Sequence, residues 1–519
     1  MMTPQQVRYL LLTRQEIALL DVREEAPFAL SHPLFASQMS AGLIEVEALD
    51  RLPRKDVPIV VYDNGEGLVD AAVSRFAAIG YTNLHILEGG LSGWAAAGGE
   101  LFQDVNSYAK AFGELVSERR NTPLLPALDL DAMLREKANV AVMDARRFDE
   151  YQAMNIPGGT SVPGEQLVLR AQALAPDPDT MIVVNCAGRT RSIIGAQSLI
   201  NAGLPNRVFA LRNGTIGWTL AGLELEHGNA RRAYDEGQEA SAATLERARD
   251  VSYRAGVRCL NDAQVALLSA DNSRTLYRFD VRSPEEYAVG HVPGYRNAPG
   301  GQLVQEIDIV APVRGARIVL WDDRRVRAHM TASWLAQMGW DVYVTEGNVE
   351  AAVETGPWTT TLPPLALVDF VSVEDLARKL LIGRTMLIDV APSTIHRAGH
   401  VPGARFAIRG RLEDVLVALP DEADIVLTSQ DAALAIFAAA DIGKSRHVRV
   451  LKGGTAAWKA AGHPLETGLV NGLTPPDDVY KRPYVGTDNA AEQMQAYLDW
   501  EYGLVDQLER DGTHGFSVI

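Results

Sequence analysis

Short apolar runs recur along the chain, and each is followed by a stretch whose apolar positions have helical spacing. The runs, rich in β-branched residues, include PIVVY, MIVVN, RIVLW and DIVLT. Helical stretches such as LVDAAVSRFAAIG and RSIIGAQSLINAG follow two of them and end at a glycine, a common helix stop. Strands that alternate with helices of this length predict βαβ units and a parallel sheet. Strands that are apolar on both faces indicate that helices cover both sides of that sheet.

One recurring mark is an apolar strand that ends in aspartate, with a histidine or an asparagine eleven positions later. It reads LLDVREEAPFALSHP, VMDARRFDEYQAMNIPGG, RFDVRSPEEYAVGHVPG and LIDVAPSTIHRAGHVPG. The paired positions are Asp21 and His32, Asp144 and Asn155, Asp280 and His291, and Asp389 and His400. The constant offset indicates that one structural unit occurs four times.

Two further marks follow in the same order in each unit. A β-branched strand opens a loop before a helix, and the first loop residues are Asp63, Cys186, Asp322 and Ser429, which follow the aspartate of the first mark by 42, 42, 42 and 40 positions. A glycine turn then leads to Trp94, Trp218 and Trp458, whereas the third copy, VTEGNVEAAV, lacks the tryptophan. Chance agreement at this level is improbable, so the chain is interpreted as a tandem repeat.

The marks predict an α/β protein of four domains, at residues 1–105, 122–228, 256–358 and 366–468, with a helical C-terminal tail at 470–519. A charged, alanine-rich connector at 229–255 is also predicted to be helical. In the tail, Thr487 is a candidate helix cap. One apolar face there comprises Met494, Tyr497, Leu498 and Tyr502.

The amino-acid composition argues against several classes of function. The net charge of −17 argues against non-specific binding to nucleic acid, which needs a basic face. No run of about 18 apolar residues occurs, so we expect no membrane span, and the N-terminus is interpreted as the start of a domain. Two cysteines, Cys186 and Cys259, favour a reducing, cytoplasmic setting over a disulfide framework. The ten histidines are scattered, so no metal or other cofactor is predicted.

The loop Cys186-Ala-Gly-Arg-Thr-Arg-Ser192 carries the candidate chemistry. A thiolate is the reactive form of cysteine, and a free thiol with a pKa of about 8.5 is mostly protonated at neutral pH. At a strand-to-helix turn, inward-pointing backbone N–H groups and the helix N-terminus can stabilise an anion. Arg189 and Arg191 add formal positive charge, and Gly188 is expected to let the backbone curl.

These marks together resemble the rhodanese family. The DVR-type strand end, the GHVPG-type turn, the cysteine loop and the glycine turn before tryptophan carry the resemblance over about 400 residues. It implies four tandem rhodanese-like domains, each a mostly parallel sheet flanked by helices, and no cofactor or metal. By this resemblance Cys186 is the nucleophile, with Asp144 and Arg146 in support. The implied anion cradle consists of Ala187, Gly188, Arg189, Thr190, Arg191 and Ser192.

The resemblance implies sulfur transfer by a ping-pong route. Cys186 would take sulfane sulfur from thiosulfate or a related anion and pass it to cyanide or a thiol, with a protein acceptor left open. Asp63, Asp322 and Ser429 hold the nucleophile position of the other repeats. Because a carboxylate cannot form a persulfide, and the serine has no evident activating base, repeats 1, 3 and 4 are predicted to be silent. Asn155 replaces the histidine of the other repeats, so acid–base work at that position is not expected.

Other interpretations stay open. The chain could be a non-enzymatic scaffold or a sensor that is read through a Cys186 persulfide. Phosphatase chemistry is less favoured, because related phosphatase loops place five residues between cysteine and arginine, and only four separate Cys186 from Arg191. Cys186 could also be a buried, inert cysteine. Cys259, at an apparent helix start, is predicted to be a packing residue.

Overall fold

A computed structural model describes residues 1–233, 240–347, 353–383, 385–420, 423–443, 446–485 and 489–519. Within these ranges the chain forms four sheets of five strands, one for each repeat. Every strand pair inside a repeat is parallel, which confirms the predicted βαβ architecture. No described helix is both long enough and apolar enough to cross a bilayer.

Repeat 1 is followed by a long linking helix. Its strands are β1 Ile17–Asp21, β2 Ser37–Gln38, β3 Ile59–Tyr62 and β4 Leu84–Ile86. Its helices are α1 Pro4–Leu12, α2 Glu25–Leu30, α3 Ile44–Arg51, α4 Val69–Ala78 and α5 Gly90–Ala96, and the linking helix is α6 Ser107–Arg120.

Repeat 2 has the complete strand set of its own. Its strands are β5 Leu124–Leu125, β6 Val140–Asp144, β7 Thr160–Ser161, β8 Met181–Asn185 and β9 Val208–Leu211, in the order β5-β9-β8-β6-β7. Its helices are α7 Ala127–Arg135, α8 Phe148–Ala153, α9 Leu167–Leu174, α10 Thr190–Asn201 and α11 Gly214–Leu220. The helix α12 Ala242–Arg254 follows and confirms the helix predicted in the connector.

One strand of repeat 3 belongs to the sheet of repeat 1. Its strands are β10 Arg258–Leu260, β11 Leu276–Asp280, β12 Arg296–Asn297, β13 Val313–Arg314, β14 Arg317–Trp321 and β15 Asp341–Thr345. Its helices are α13 Asp262–Ala270, α14 Pro284–Val289, α15 Gly300–Gln305, α16 Ile307–Val310 and α17 Val326–Gln337. Strand β13 pairs antiparallel with β1, so the two repeats share a sheet.

Repeat 4 and the tail complete the chain. The strands are β16 Phe370–Val371, β17 Thr385–Asp389, β18 Arg405–Phe406, β19 Asp424–Thr428 and β20 Val448–Leu451. The helices are α18 Val373–Ile382, α19 Ser393–Ala398, α20 Leu412–Val417, α21 Ala433–Ile442, α22 Gly454–Ala460, α23 Ala491–Tyr502 and α24 Leu504–Asp511. The tail is therefore helical, as predicted, and its candidate cap Thr487 lies outside the described residues.

The second mark of the repeat coincides with a strand end in every copy. Strands β3, β8, β14 and β19 stop one residue before Asp63, Cys186, Asp322 and Ser429. Each of these positions therefore lies at the carboxyl edge of a parallel sheet, where open α/β folds bind their ligands.

One continuous apolar core joins repeats 1, 2 and 3. It includes Val7 of repeat 1, Ile182 of repeat 2, Ile318 of repeat 3, and Leu504 and Leu508 of α24. Helix α6, for which the sequence analysis predicted no element, is buried from Ser107 to Val116 at the centre of this core. Repeat 4 buries two apolar clusters of its own.

Candidate active site

The aspartate that ends β6 fixes the base of the site. Arg146 donates from Nε to Asp144 Oδ1 at 2.9 Å and from Nη2 to Oδ2 at 2.7 Å. The amide of Asn185, the last residue before the cysteine, donates to Asp144 Oδ2 at 2.9 Å. Arg146 also donates to the carbonyl of Met154 at 2.5 Å. This buried network ties β6, β8 and the loop after α8 together. The supporting role of Asp144 and Arg146 in catalysis stays a prediction.

The cysteine loop turns its first carbonyls towards α11. The N–H of Thr215 donates to the Cys186 carbonyl at 2.9 Å, and the N–H of Ile216 donates to the Ala187 carbonyl at 3.0 Å. Gly214 permits this approach, because it has a φ of 53° and a Cβ there would lie 2.3 Å from the Cys186 oxygen. Since C=O and N–H point in opposite directions across a trans peptide, the following amides face the other side of the loop, as an anion nest requires.

The thiol of Cys186 is almost completely buried, with 2% of the residue exposed. Its Sγ lies 3.5 Å from Ser192 Oγ, which donates to the Arg189 carbonyl at 2.7 Å. Burial raises the pKa of the thiol, while the charge of Arg191 and hydrogen bonding with the Ser192 side chain and backbone lower it. The net direction is upward, because burial outweighs these contacts, and the expectation that the loop holds Cys186 ionised stays a prediction.

Arg191 is neutralised by a residue that the sequence analysis did not single out. Its guanidinium donates to both carboxylate oxygens of Glu150 in α8, at 2.7 and 2.8 Å. Burial acts to raise the pKa of Glu150, but Arg191, together with Arg146 and Arg147, outweighs it and lowers that pKa to about 2. In repeat 3, Arg327 and Glu286 occupy the same repeat positions and pair at 2.8 Å. Alignment of DARRFDEY with DVRSPEEY was the signal that could have predicted this pair.

The side chain of Arg189 forms its hydrogen bonds with elements outside the cysteine loop. It donates to both carboxylate oxygens of Glu114 in α6 at 2.7 Å, to Asn213 Oδ1 at 3.0 Å and to the Tyr502 hydroxyl at 3.1 Å. Its guanidinium therefore holds α6 and the tail against the loop, and its charge is balanced by Glu114. The partners of the Arg189 side chain thus come from distant parts of the chain, and its place in the anion cradle stays a prediction.

Helix α23 of the tail packs over the cysteine loop at Gly188. A Cβ on Gly188 would lie 3.2 Å from Tyr497 Cε1 and 3.4 Å from Glu501 Oε2. Gly188 does not have a positive φ among the described glycines, so its small size makes room for α23 and is not needed for backbone curling. Ala187 packs in an apolar cluster with Ile216, Tyr484, Met494, Tyr497 and Leu498.

The remaining members of the predicted cradle are also placed by α6 and the tail. Thr190 begins α10, and its Cγ2 would lie 2.8 Å from a Cβ on Gly113 of α6. Met494, Tyr497 and Leu498 are buried on the predicted face of α23, whereas Tyr502 is half exposed. The structure therefore brings the predicted loop residues together beneath two elements whose role sequence reasoning missed.

Asn155, the position where histidine is replaced, has a structural role. Its Nδ2 donates to the Ile156 carbonyl at 2.9 Å and to Glu226 Oε2 at 3.2 Å. Its backbone also bridges to Glu226, and His32, His291 and His400 form the same bridge in the other repeats. This position therefore links the first part of each repeat to a residue near the end of the same repeat.

In repeats 1 and 3, a carboxylate stands at the position that Cys186 holds in repeat 2, and it accepts hydrogen bonds from the loop that follows. Asp63 accepts hydrogen bonds from the backbone N–H groups of Gly65 at 3.0 Å and Leu68 at 2.7 Å. Asp322 accepts from the N–H of Ala328 at 3.0 Å and from Arg327 Nε at 3.1 Å. In repeat 4, the Ser429 hydroxyl accepts from the N–H of Ala435 at 3.3 Å. In each case loop amides turn inward onto the side chain at the cysteine position.

Cys259 is not the packing residue that its sequence context predicted. It lies on the edge strand β10, where its side chain is exposed, because the apolar run after it forms the separate helix α13. Among the described residues, its sulfur lies within 4.8 Å of ligand atoms of His329 and Glu346. Glu346 Oε1 already accepts from Arg249 Nε at 2.8 Å. Because a guanidinium lies against this oxygen, a second cation there would be repelled.

A cavity of about 200 Å³ separates repeat 2 from the tail. Its walls are mostly apolar and include Ile216, Leu225 and Met494, with Thr215 and His227 among the polar residues. Thr215 and Ile216 are the residues whose N–H groups hold the Cys186 loop, so the cavity adjoins the base of the loop.

Comparisons with known proteins give a consistent assignment. The family described as Rhodanese-like domain matches residues 3–97, 127–221, 263–355 and 372–461. A solved structure, thiosulfate sulfurtransferase from Pseudomonas aeruginosa, is 53% identical, with 100% of this chain and 99% of that chain covered and a TM-score of 0.97. A rhodanese-related protein from Thermoplasma volcanium is 14% identical over 19% of this chain and 97% of its own, with a TM-score of 0.18.

Among curated proteins, an HTH-type transcriptional regulator from Mycobacterium tuberculosis is 33% identical over 105 residues. That match takes in 19% of this chain and 46% of the regulator, less than half of the regulator's length. The four matched segments of the family, by contrast, cover well over half of this chain, so the chain belongs to the rhodanese family of sulfurtransferases, with four rhodanese-like domains in tandem.

Proposed function

We propose that this protein transfers sulfane sulfur through Cys186, with thiosulfate or a related anion as the donor. The Cys186 thiolate attacks the outer sulfur of thiosulfate, a new S–S bond forms, and the S–S bond of the donor breaks with its electron pair leaving on sulfite. Cyanide or a thiolate acceptor then attacks the terminal sulfur of the persulfide. That step releases thiocyanate or the acceptor persulfide and restores the Cys186 thiolate.

One observation carries this proposal. Cys186 is the thiol that stands where a parallel strand meets the loop before α10, at the position held by Asp63, Asp322 and Ser429 in the other repeats, where loop amides donate to the side chain. The same amides that bind a carboxylate in repeats 1 and 3 can hold a thiolate, a persulfide or an anionic donor in repeat 2. The likeness to a thiosulfate sulfurtransferase along the whole chain supports thiosulfate as the donor.

Repeats 1, 3 and 4 are proposed to be catalytically silent domains that support repeat 2. A carboxylate at position 63 or 322 accepts the loop hydrogen bonds itself and would repel an anionic donor. The domain limits proposed from the sequence, 1–105, 122–228, 256–358 and 366–468, leave α6 and the tail outside the repeats as shared elements.

The small substrates are proposed to reach the loop from the cavity between repeat 2 and the tail. Its walls suit a small, partly apolar acceptor as well as an inorganic ion, and a protein acceptor would first have to displace α23. A reducing, cytoplasmic setting suits the two free cysteines. The net charge of −17 argues against nucleic acid as a partner.

The decisive experiment follows thiocyanate formation from thiosulfate and cyanide. Cys186→Ala should abolish turnover and the mass increase of one sulfur atom that thiosulfate alone produces. Cys259→Ser, which removes the exposed second thiol, is the matched control and should retain both. Full activity in Cys186→Ala would refute the proposal. A stable Cys186 persulfide that no acceptor discharges would instead identify a persulfide sensor, and phosphate release from aryl phosphates that depends on Cys186 would identify a phosphatase.

A further inference from the structure

Glu501 of α23 lies against the cysteine loop and is 1% exposed. Its Oε1 accepts a hydrogen bond from the Tyr497 hydroxyl at 2.7 Å. Its Oε2 has no hydrogen-bond partner among the described residues, and it is the atom that would lie 3.4 Å from a Cβ on Gly188. A buried carboxyl oxygen is therefore aimed at the backbone of the loop that carries Cys186.

The cations around Glu501 are already paired. From α6, Lys110 Nζ lies 3.0 Å from Asp104 Oδ1 and within about 5–6 Å of the ring centroids of Tyr484, Tyr497 and Trp500. From the loop, Arg189 is held by Glu114, itself a second negative charge that faces Glu501 from α6. Within the described part of the chain, Glu501 thus forms no ion pair of its own.

Burial and the charge of Glu114 raise the pKa of Glu501 to about 8, against the opposing effects of Lys110, Tyr497 and Arg189. The carboxyl group is therefore mostly protonated at neutral pH. Because Oε1 accepts from Tyr497, the proton belongs on Oε2, the oxygen that faces the loop.

We propose that Glu501 is an anion-binding residue of the Cys186 site, whose protonated carboxyl group donates a hydrogen bond from Oε2 to an oxygen of the anionic sulfur donor. This inference rests on the proposed function of Cys186. It gives the tail a specific role, since the donor is held by loop amides on one side and by a neutral acid on the other. Ionisation of Glu501 would replace that donor hydrogen with a negative charge, so binding of the anion would change to repulsion.

The first test is the pH profile of kcat/KM for thiosulfate in the intact protein. In a ping-pong reaction this ratio reports only the first half-reaction, so the ionisation of cyanide does not enter it. Ionisation of Cys186 also enters this ratio, in the same way in every variant, so the wild-type ratio is divided by that of Glu501→Gln, which keeps a donor that cannot ionise. Above the pKa of Glu501 this quotient should fall about tenfold per pH unit. Glu492→Gln, on the exposed first turn of the same helix, should match the wild type. A quotient that does not change with pH would overturn the proposal.

The second test needs no turnover. Iodoacetate, an anion, and iodoacetamide, which is neutral, alkylate the same thiolate. The rate with iodoacetate divided by the rate with iodoacetamide at Cys186 is therefore independent of the thiolate fraction, and it measures how strongly the site favours an anionic reagent over a neutral one. This ratio should decrease above about pH 8 in the wild type and stay constant in Glu501→Gln. A ratio that does not depend on pH in the wild type would overturn the proposal. Failure of the Cys186 assignment would be seen separately, as activity that survives Cys186→Ala.

Discussion

Individual charged residues around Cys186 are balanced in pairs, which limits the free positive charge near its thiol. Arg191 is paired with Glu150, Arg189 is paired with Glu114, and burial raises the pKa of the thiol. The loop therefore does not offer two free guanidinium charges to the sulfur. The amides of the loop and the partly balanced charge of Arg191 remain to stabilise the thiolate and the persulfide.

The pair formed by Glu150 and Arg191 predicts an acid-sensitive contribution to stability. Because the pKa of Glu150 is lowered from 4.5 to about 2 in the folded protein, the ionised form favours folding. That stabilisation is complete above pH 4.5 and is lost as the pH falls towards 2. Between pH 5 and 2, the wild type should lose about 2–3 kcal/mol more free energy of unfolding than Glu150→Gln.

Urea unfolding at a series of pH values measures this difference. Glu246→Gln, on the exposed side of α12, is the control and should show the same pH dependence as the wild type. Identical curves for Glu150→Gln and the wild type would show that the pair does not stabilise the folded state.

Two elements outside the repeats, α6 and α23, shape the active site. Helix α6 supplies Glu114 and Lys110, and it packs against α10 where Gly113 meets Thr190. Helix α23 covers Gly188 from the opposite end of the chain. Repeat 2 taken by itself would therefore have the cysteine loop without the helix that covers it and without Glu114, the counter-charge of Arg189.

The contact between α6 and α10 predicts the effect of a single methyl group. In Gly113→Ala, the new Cβ would lie 2.8 Å from Thr190 Cγ2 and 3.3 Å from its Cα. Alanine normally stabilises a helix interior, but here overpacking should outweigh that gain and lower the free energy of unfolding by about 1–2 kcal/mol. Because Thr190 opens the helix that carries the loop, kcat for thiocyanate formation should fall as well.

Denaturant unfolding and steady-state kinetics check both effects. Glu118→Ala, on the exposed end of α6, adds no new atom to the interface and should change neither quantity. Increased stability in Gly113→Ala would mean that α6 can move away from α10 at little cost.

The whole molecule divides into a fused unit of three repeats and an attached fourth repeat. Repeats 1, 2 and 3 share one core and the β1–β13 pairing, whereas repeat 4 has its own apolar clusters. A buried ion-pair network joins repeat 4 to repeat 1. Arg409 donates to both oxygens of Glu45 at 2.8 and 2.9 Å and to Asp441 at 2.9 Å. Arg75 also reaches Asp441, at 2.8 Å.

This division predicts that repeat 4 unfolds separately when its anchor is removed. Arg409→Ala leaves the buried carboxylate of Glu45 without its bidentate partner, at a cost of about 3 kcal/mol. Calorimetry should show an early transition that shifts downward in the variant, while transfer of sulfur by Cys186 at lower temperature stays unchanged. Arg397→Ala, on the exposed side of α19, should leave the transition in place. A single transition that shifts as a whole would show that the four repeats unfold as one unit.

Sequence patterns could predict the repeat and the chemistry of its loops because both are local. The apolar runs, the aspartate that ends a strand and the residue that opens the next loop are set by neighbours within a few positions. This is why the parallel sheets and the strand end before Cys186 agree with prediction. Cys259 was misplaced because a short edge strand and a helix start share the same apolar pattern.

By itself, the sequence determined that four α/β repeats exist and that one of them places a thiol where the others place a carboxylate or a hydroxyl. Only the tertiary structure decided which charges neutralise Arg189 and Arg191, that Gly188 makes room for α23, and that Glu501 faces the cysteine loop. The physical reason is the separation along the chain over which each kind of interaction acts. Backbone hydrogen bonding and apolar periodicity act between near neighbours in the chain, whereas burial and ion pairing join residues that lie tens to hundreds of positions apart.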